Sequence, residues 1–544
     1  MVGSENSESA EREAVRFTAP TLRSLDNPQA LSLNVSREFN IAVHLMNLAL
    51  KRDSEHIAVV DGEQIITFKQ LNTLSNKAGN FLRKHGVHIE QRVIFMLKSG
   101  LDYIALFLGA IKIGAVPVTI PPNLQRHELR YLLDESRGAV AVVNTRDFLT
   151  VSEICQELPW HTDIIPDSPM TEANVLSFPE ESKEADDTLV PAPTNTDDIA
   201  FWAYTQGVVS FHKAAMHMQR APLYSCMSYA QGVLNLDEND IILSTSPFYT
   251  SQGLMERIFF PIYSGASVIM APQEASGLDL LNILRTHKVT VLFSTPDVYN
   301  NILKEAAEKH EATSLPSLRA CVSTAQTLPL STQLNWKKSF DIDILNALSS
   351  TEELYAFITN RPGHSRAGSV GQAAPGYAIR LEDKDGFQVP PGQVGNLLVY
   401  GGSTMAGFWN KRKKSTHVLL GPWLDTGDKC MVDEDGYYYF AGKRDDMIFI
   451  DDHWIAPSEV EQNLLSLPEV AQAAVLGATD SHDRVHLRAY IVLKPNLEPS
   501  NDMANSLRIK ANANQPTHMQ IKWFDFVPNL PRSSNGRLQR YKLR

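Results

Sequence analysis

The stretch Phe201-Trp202-Ala203-Tyr204-Thr205-Gln206-Gly207-Val208-Val209-Ser210-Phe211-His212-Lys213-Ala214 places a glycine and a lysine after an apolar run. That order suits phosphate. A strand delivers the loop, the glycine lets backbone N–H groups come close to the oxygens, and the ammonium offsets their charge. One glycine and one lysine also fit an ordinary surface turn, so the pattern alone leaves both readings open. Two further patterns carry polar chemistry. Ser350-Thr351-Glu352 sets a hydroxyl beside a carboxylate, and Thr426-Gly427-Asp428 sets a carboxylate after a glycine. In isolation these read equally as a helix start and a turn. Cys155, Cys226, Cys321 and Cys430 are scattered, with no CxxC pair and no histidine at ligand spacing, so reduced core thiols are expected.

Such groups need a scaffold. At 544 residues the chain exceeds what one core organises, which implies at least two domains. A net charge of -12 argues against nucleic acid as a main partner, and no apolar run is long enough for a membrane span. The first residues are polar and charge-rich without a secretory signal, so residues 1–34 are expected to form a flexible tail on a cytoplasmic protein. Thr67 and Gln70 have capping-box spacing, and Leu71, Leu74, Ala78, Phe81 and Leu82 then recur at helical period until Gly86. Val93 to Leu97 reads as a buried strand, Leu101 to Ile113 as a helix, and Val116 to Ile120 and Ala139 to Val143 as strands. That alternation predicts βαβ units and a largely parallel sheet. Phe178 to Asp198, with Pro179, Pro191 and Pro193, reads as an exposed connection. Val289 to Ser294 and Ile342 to Leu345 resume the strands. A smaller unit follows from about Asp446, with Pro457 to Leu467 helical and Arg488 to Leu493 extended.

Taken in order, the motifs resemble those of the adenylate-forming ligases, near their benzoate-CoA ligase branch. The 201–214 stretch is similar to that family's phosphate loop, normally Tyr-Ser-Ser-Gly-Ser-Thr-Gly-x-Pro-Lys-Gly. Ser350-Thr351-Glu352 resembles its Thr-Glu pair, and Gly368-Ser369-Val370-Gly371 and Pro375-Gly376-Tyr377 follow at family spacing. Trp423-Leu424-Asp425-Thr426-Gly427-Asp428 resembles its Tyr-x-Thr-Gly-Asp element. Ala441-Gly442-Lys443-Arg444-Asp445-Asp446-Met447 resembles its hinge, Pro457-Ser458-Glu459-Val460-Glu461 the start of its first small-domain helix, and Leu530-Pro531-Arg532-Ser533-Ser534-Asn535-Gly536-Arg537 its carboxyl-terminal loop. Each motif alone is weak. The ordered set spans roughly Phe39 to Arg544.

The resemblance implies an α/β fold: a large multi-subdomain N-terminal domain with mostly parallel sheets (35–443), a small mobile α+β C-terminal domain (446–544), and a hinge near 443–446 that includes Asp445. It implies ATP and Mg2+ as cofactors, a small carboxylic acid as substrate, and coenzyme A or a carrier-protein thiol as acceptor, with an acyl carrier protein or partner enzyme as possible company. Thr205, Gly207, Thr351, Asp428 and Lys443 are then expected to hold nucleotide, Asp428 through the ribose hydroxyls, since its two oxygens can serve adjacent donors. Lys213, Thr351, Glu352 and Arg537 are the expected catalytic set, Glu352 also holding magnesium. His217, Tyr249, Gln252 and Ala325 are expected around the acid.

The chain departs from the family at several of these places. Arg537 stands where the family has lysine, exchanging a compact ammonium for a planar fork. Ser210, His212 and Ala214 replace a glycine, a proline and a glycine of the phosphate loop, which restricts backbone access. Lys443 replaces an arginine, Phe449 a lysine, and Asp452 a glycine on the thiol's path. Ser323-Thr324-Ala325-Gln326 alters a small-residue element, and Phe248-Tyr249-Thr250-Ser251-Gln252-Gly253 is more polar than a benzoate wall requires. Three functions follow: a divergent, slowed acid-activating ligase, a non-catalytic relative that binds nucleotide or acts as a scaffold, or an unrelated role on the same two-domain scaffold.

Overall fold

The computed structural model describes residues 31–97, 100–122, 124–170, 177–205, 212–272, 274–310, 314–324, 326, 328–450, 453–480, 484–495, 497–513, 515–532 and 538–543. Among them a seven-stranded and a nine-stranded sheet dominate the larger part of the chain.

The first of these is built as the alternation requires. Thr67 and Gln70 form the capping box, and helix Phe68–Lys84 buries Leu71, Ala78, Phe81 and Leu82. Strands Arg92–Met96, Val116–Thr119, Val140–Val143 and Asp163–Pro166 pair in parallel, and Val116–Thr119 also takes Ile199–Thr205 as a parallel neighbour. Only then does direction change, with Ile199–Thr205 antiparallel to Lys213–Met218. The nine-stranded sheet likewise has a parallel centre: Ile241–Ser244, Ser267–Met270, Val291–Ser294, Ala320–Ser323 and Ile344–Ser349. Val, Ile, Leu and Ala fill these strands because both faces are covered. Helix Leu101–Lys112 is buried at every residue but Asp102, its final lysine included. Lys112 Nζ donates to Asn72 Oδ1, Ser75 Oγ and Asn76 Oδ1 at 2.7, 2.7 and 2.8 Å, which matches its three donors.

An antiparallel five-stranded sheet follows, in which Trp423–Val432 pairs with Val394–Tyr400 on one side and Tyr438–Lys443 on the other. A 3-10 turn, Arg444–Asp446, leads from it into the smaller unit, with helices Pro457–Leu465 and Asn501–Asn512 on a three-stranded sheet and a hydrophobic core of its own. The fold is therefore α/β with a large, mainly parallel N-terminal part and a smaller C-terminal domain. All four cysteines are free and buried.

The connection expected between Phe178 and Asp198 differs. Pro179 starts a short helix, Phe178–Glu181, with Ser177 and Glu180 as a capping box, and Phe178 packs edge-on against Phe81. Helix Phe68–Lys84 then holds the segment by its backbone. Asn76 donates to the Asp187 carbonyl, Asn80 to those of Asp186 and Thr188, and Arg83 to that of Val190. Prolines signalled irregular structure correctly, but two side-chain amides and the Arg83 guanidinium on the neighbouring helix supply the hydrogen bonds that a loop lacks.

Candidate active site

The site gathers around the turn that joins Ile344–Ser349 to Ala356–Thr359. Ser350 Oγ accepts from the Glu353 N–H at 3.1 Å, and Leu354 takes φ 68° to reverse the chain. Three distant segments meet this turn. The Glu352 carbonyl accepts from the Met405 N–H at 2.8 Å. Gln252 donates from Nε2 to Ser349 Oγ at 3.1 Å. His217, on Lys213–Met218, lies with the Thr351 carbonyl beside its ring. The expected acid-pocket residues Gln252 and His217 are thus brought to the expected phosphate and metal residues Thr351 and Glu352.

His217 is fully buried, 5.2 Å from the Phe201 ring, and burial pushes its pKa down to about 3, so it is neutral and offers no charge. Neither ring nitrogen has a hydrogen-bond partner among the described residues. Thr205 and Lys213 face each other across the antiparallel pair, one on each side of residues 206–211. The Thr205 hydroxyl is buried without a hydrogen-bond partner among the described residues. The Lys213 ammonium lies 4.2 Å from the Phe408 ring centre, a cation–π contact. Burial lowers the pKa of His212, so it too favours the neutral form.

Asp428 and Lys443 are cross-strand partners, with the ammonium 2.5 Å from a carboxylate that is 1% exposed. The contact is an ion pair without hydrogen-bond geometry, which leaves both Asp428 oxygens lacking a donor. Arg444, the next residue, turns away and pairs with Asp425 at 2.7 Å, so it does not stand in for Lys443. The Asp445 backbone lies in the 3-10 turn Arg444–Asp446. Gly207, Ala325, Asp452 and Arg537 fall outside the described residues, as do the side chains of Asp445 and Phe449.

The 248–253 segment forms a wall by means the sequence foreshadowed only in part. Phe248 stacks on Tyr103 at 4.6 Å, and Thr250 caps helix Ser251–Leu254 by accepting from the Gly253 N–H. Glycine is required at 253 because a Cβ there would lie 2.0 Å from the Pro247 carbonyl oxygen.

Three buried charged residues were missed from sequence. Glu353, beside Glu352, is fully buried; Thr404 Oγ1 donates to its carboxyl at 2.7 Å, and Ser403 Oγ lies 3.2 Å away. Burial pushes this carboxyl up to about 8. Glu256 and Arg257 sit in a π-helical turn, Met255–Phe259. A charged pair inside the apolar run Leu254 to Ile262 was the available signal.

The unpartnered Thr205 hydroxyl, the Asp428 oxygens that accept no hydrogen bond among the described residues, and the Glu352 carboxylate suit a magnesium nucleotide. Magnesium is commonly held by one or two carboxylates with phosphate oxygens completing its shell. Among the described residues no group of three metal-binding side chains exists to hold an ion unaided.

The family model for AMP-binding enzymes matches residues 47–409, and that for the AMP-binding enzyme C-terminal domain matches 459–537. The 4-hydroxybenzoate–CoA/benzoate–CoA ligase of Rhodopseudomonas palustris is 32% identical over 93% of this chain and 94% of its own length. The benzoate–CoA ligase of Thauera aromatica is 30% identical over 94% and 97%. Among solved structures, an anthranilate CoA ligase in complex with anthranoyl-AMP superposes with TM-score 0.86 at 30% identity, covering 94% of this chain and 97% of that one. A benzoate CoA ligase from Burkholderia xenovorans LB400 gives 0.84 at 30% identity, covering 93% and 100%. With both family models matched in order and the likeness running nearly end to end, the chain belongs to the AMP-binding enzyme family.

Proposed function

We propose that this chain is a divergent acid–thiol ligase, acting in the cytoplasm on a small aromatic carboxylic acid. In the first step a carboxylate oxygen attacks the α-phosphorus of ATP and pyrophosphate leaves. In the second, a thiolate, of coenzyme A or a carrier protein, attacks the acyl carbon and AMP leaves. Magnesium, when bound, offsets charge on the phosphates. Thr351 then donates its hydroxyl to the α-phosphate, and Glu352 supplies the metal carboxylate. Asp428 accepts from the ribose hydroxyls, and Lys213 and Arg537 bring positive charge to the phosphate side. Residues 443–446 serve as the hinge on which the domain 446–544 turns between the steps.

The observation that carries this reading is the Thr205 hydroxyl, buried without a hydrogen-bond partner among the described residues, beside a buried Asp428 carboxylate that the Lys443 ammonium meets without hydrogen-bond geometry. An unfilled hydrogen-bonding site costs stability, so its persistence argues for a ligand. The departures at Ser210, His212, Ala214 and Arg537 make the first step slow. Each lost transition-state donor costs on the order of 10²–10³ in rate.

A second reading has specific support. Lys443 already neutralises Asp428, and Lys213 already lies on Phe408, so nucleotide has to compete with contacts inside the protein. On that reading the chain is a nucleotide-binding or scaffold relative without catalysis. Calorimetric titration with Mg-ATP separates the two, followed by pyrophosphate release with aromatic acids. Micromolar binding lost in Glu352→Gln and Asp428→Ala, with pyrophosphate release that rises in Arg537→Lys, supports the ligase. Nucleotide binding without pyrophosphate from any acid supports the second reading.

A further inference from the structure

A cavity of about 500 Å³ opens where the C-terminal ends of the two large sheets approach each other, beyond Ile120 and Asn144 of one and Thr245 and Ala271 of the other. Strand ends of this kind are where open α/β sheets take ligands. Its inner wall is apolar and aromatic, with Leu97, Tyr103, Ile120, Phe248 and Tyr249. Arg257 also lines it, 5% exposed.

A buried guanidinium ordinarily has a carboxylate partner. Arg257 has none within 4 Å among the described residues, although Glu256 is its neighbour in sequence. The π-helical turn directs the two side chains apart. Glu256 spends its oxygens on Ser244 Oγ at 2.6 Å and the Tyr355 hydroxyl at 2.9 Å. Arg257 donates through Nη2 to the Ser244 carbonyl, rests its charge 5.0 Å from the Phe248 ring centre, and leaves Nε without a partner. Burial lowers its pKa only to about 10, so the cation persists at neutral pH, and burial raises that of Glu256, which weakens the neighbouring negative charge.

We propose that this cavity binds an organic acid whose apolar body lies against Phe248 and Tyr249 and whose anionic group is held by Arg257. The inference rests on the ligase reading in one respect: the reacting carboxylate belongs at Thr351 and Lys213, so the group at Arg257 is a second one. The substrate class is then an aromatic dicarboxylate, or an aromatic acid with another anionic substituent. Tyr249 links the two places, since it lines the cavity and lies three residues before Gln252, which bonds to the turn bearing Thr351.

The test is calorimetric binding of benzoate, isophthalate and coenzyme A to the full chain without ATP, comparing the wild type with Arg257→Met and Ala271→Phe. The second variant fills the cavity while leaving the guanidinium in place, so it remains informative if Arg257→Met fails to fold. Isophthalate should bind at least tenfold tighter than benzoate, the preference should vanish in Arg257→Met, and Ala271→Phe should weaken isophthalate at least tenfold. Equal affinities for the two acids, a preference that survives both variants, or Arg257-dependent binding of coenzyme A with none of isophthalate would overturn the proposal. Pyrophosphate release is scored separately. Adenylation of benzoate without any diacid preference leaves the ligase standing and removes the site. Arg257-dependent diacid binding without pyrophosphate leaves the site and removes the ligase.

Discussion

Replacing Glu353 by glutamine should make the protein more stable at alkaline pH and leave it nearly unchanged near pH 5. The carboxyl is fully buried, and its hydrogen-bonding neighbours are the hydroxyls of Ser403 and Thr404, neither of which carries charge. Its pKa rises from the ordinary 4.5 to about 8, with burial as the main cause and repulsion from Glu352 adding to it. Below pH 4.5 both the folded and unfolded chains keep the proton, so the group contributes no pH dependence. Between 4.5 and about 8 the unfolded chain releases its proton while the folded chain holds it, so stability falls as pH rises, by about 1.4 kcal/mol per unit. Above 8 the loss levels off on the order of 5 kcal/mol. Glutamine keeps the shape and an acceptor oxygen and does not titrate. Denaturant unfolding of both proteins at pH 5.5, 7 and 8.5 gives the difference directly. Working with the difference is essential, because buried Lys112, whose pKa falls to about 7, drives stability the opposite way between 7 and 10.5 in both proteins. A difference that stays constant across this range would refute the buried, proton-holding assignment.

Three other outcomes are expected. Lys443→Met strips from buried Asp428 the one ion-pair partner it has among the described residues and should cost about 3 kcal/mol, the lower end for a broken buried pair; the double variant with Asp428→Leu should recover most of it in the same unfolding assay. His217→Leu removes two unpartnered nitrogens from the core and should change stability by less than about 1.5 kcal/mol, whereas a loss above 3 kcal/mol by scanning calorimetry would reveal a hydrogen bond essential to the fold. Arg540 clamps Glu461 through two contacts of 2.7 Å and reaches Asp446 at 3.4 Å, so Arg540→Met should accelerate hydrogen exchange in helix Pro457–Leu465 and the turn at Arg444–Asp446, while exchange in strand Val140–Val143 stays unchanged.

Local sequence patterns specify the scaffold. The Thr67 and Gln70 box, the Val93 to Leu97 and Ala139 to Val143 runs and the β/α alternation are local patterns, and local patterns suffice when burial on both faces leaves one arrangement open to them. The sequence also supplied Thr351, Glu352, Asp428, Gln252 and His217 as candidates, because their motifs lie at recognisable spacing. What each side chain does depended on contacts between residues far apart in the chain. Lys443 meets Asp428 only because two strands align in that register, and Arg444 goes to Asp425 from the 3-10 turn that begins where the strand ends. His217 reads as a substrate contact, and its neutral, fully buried state becomes evident only once it is seen against Phe201. Glu353 reads as a surface acid until Ser403 and Thr404 arrive from fifty residues away. Whether Arg257 has a carboxylate partner was likewise decided by the tertiary structure, since it depends on where Glu256 finds its hydroxyls.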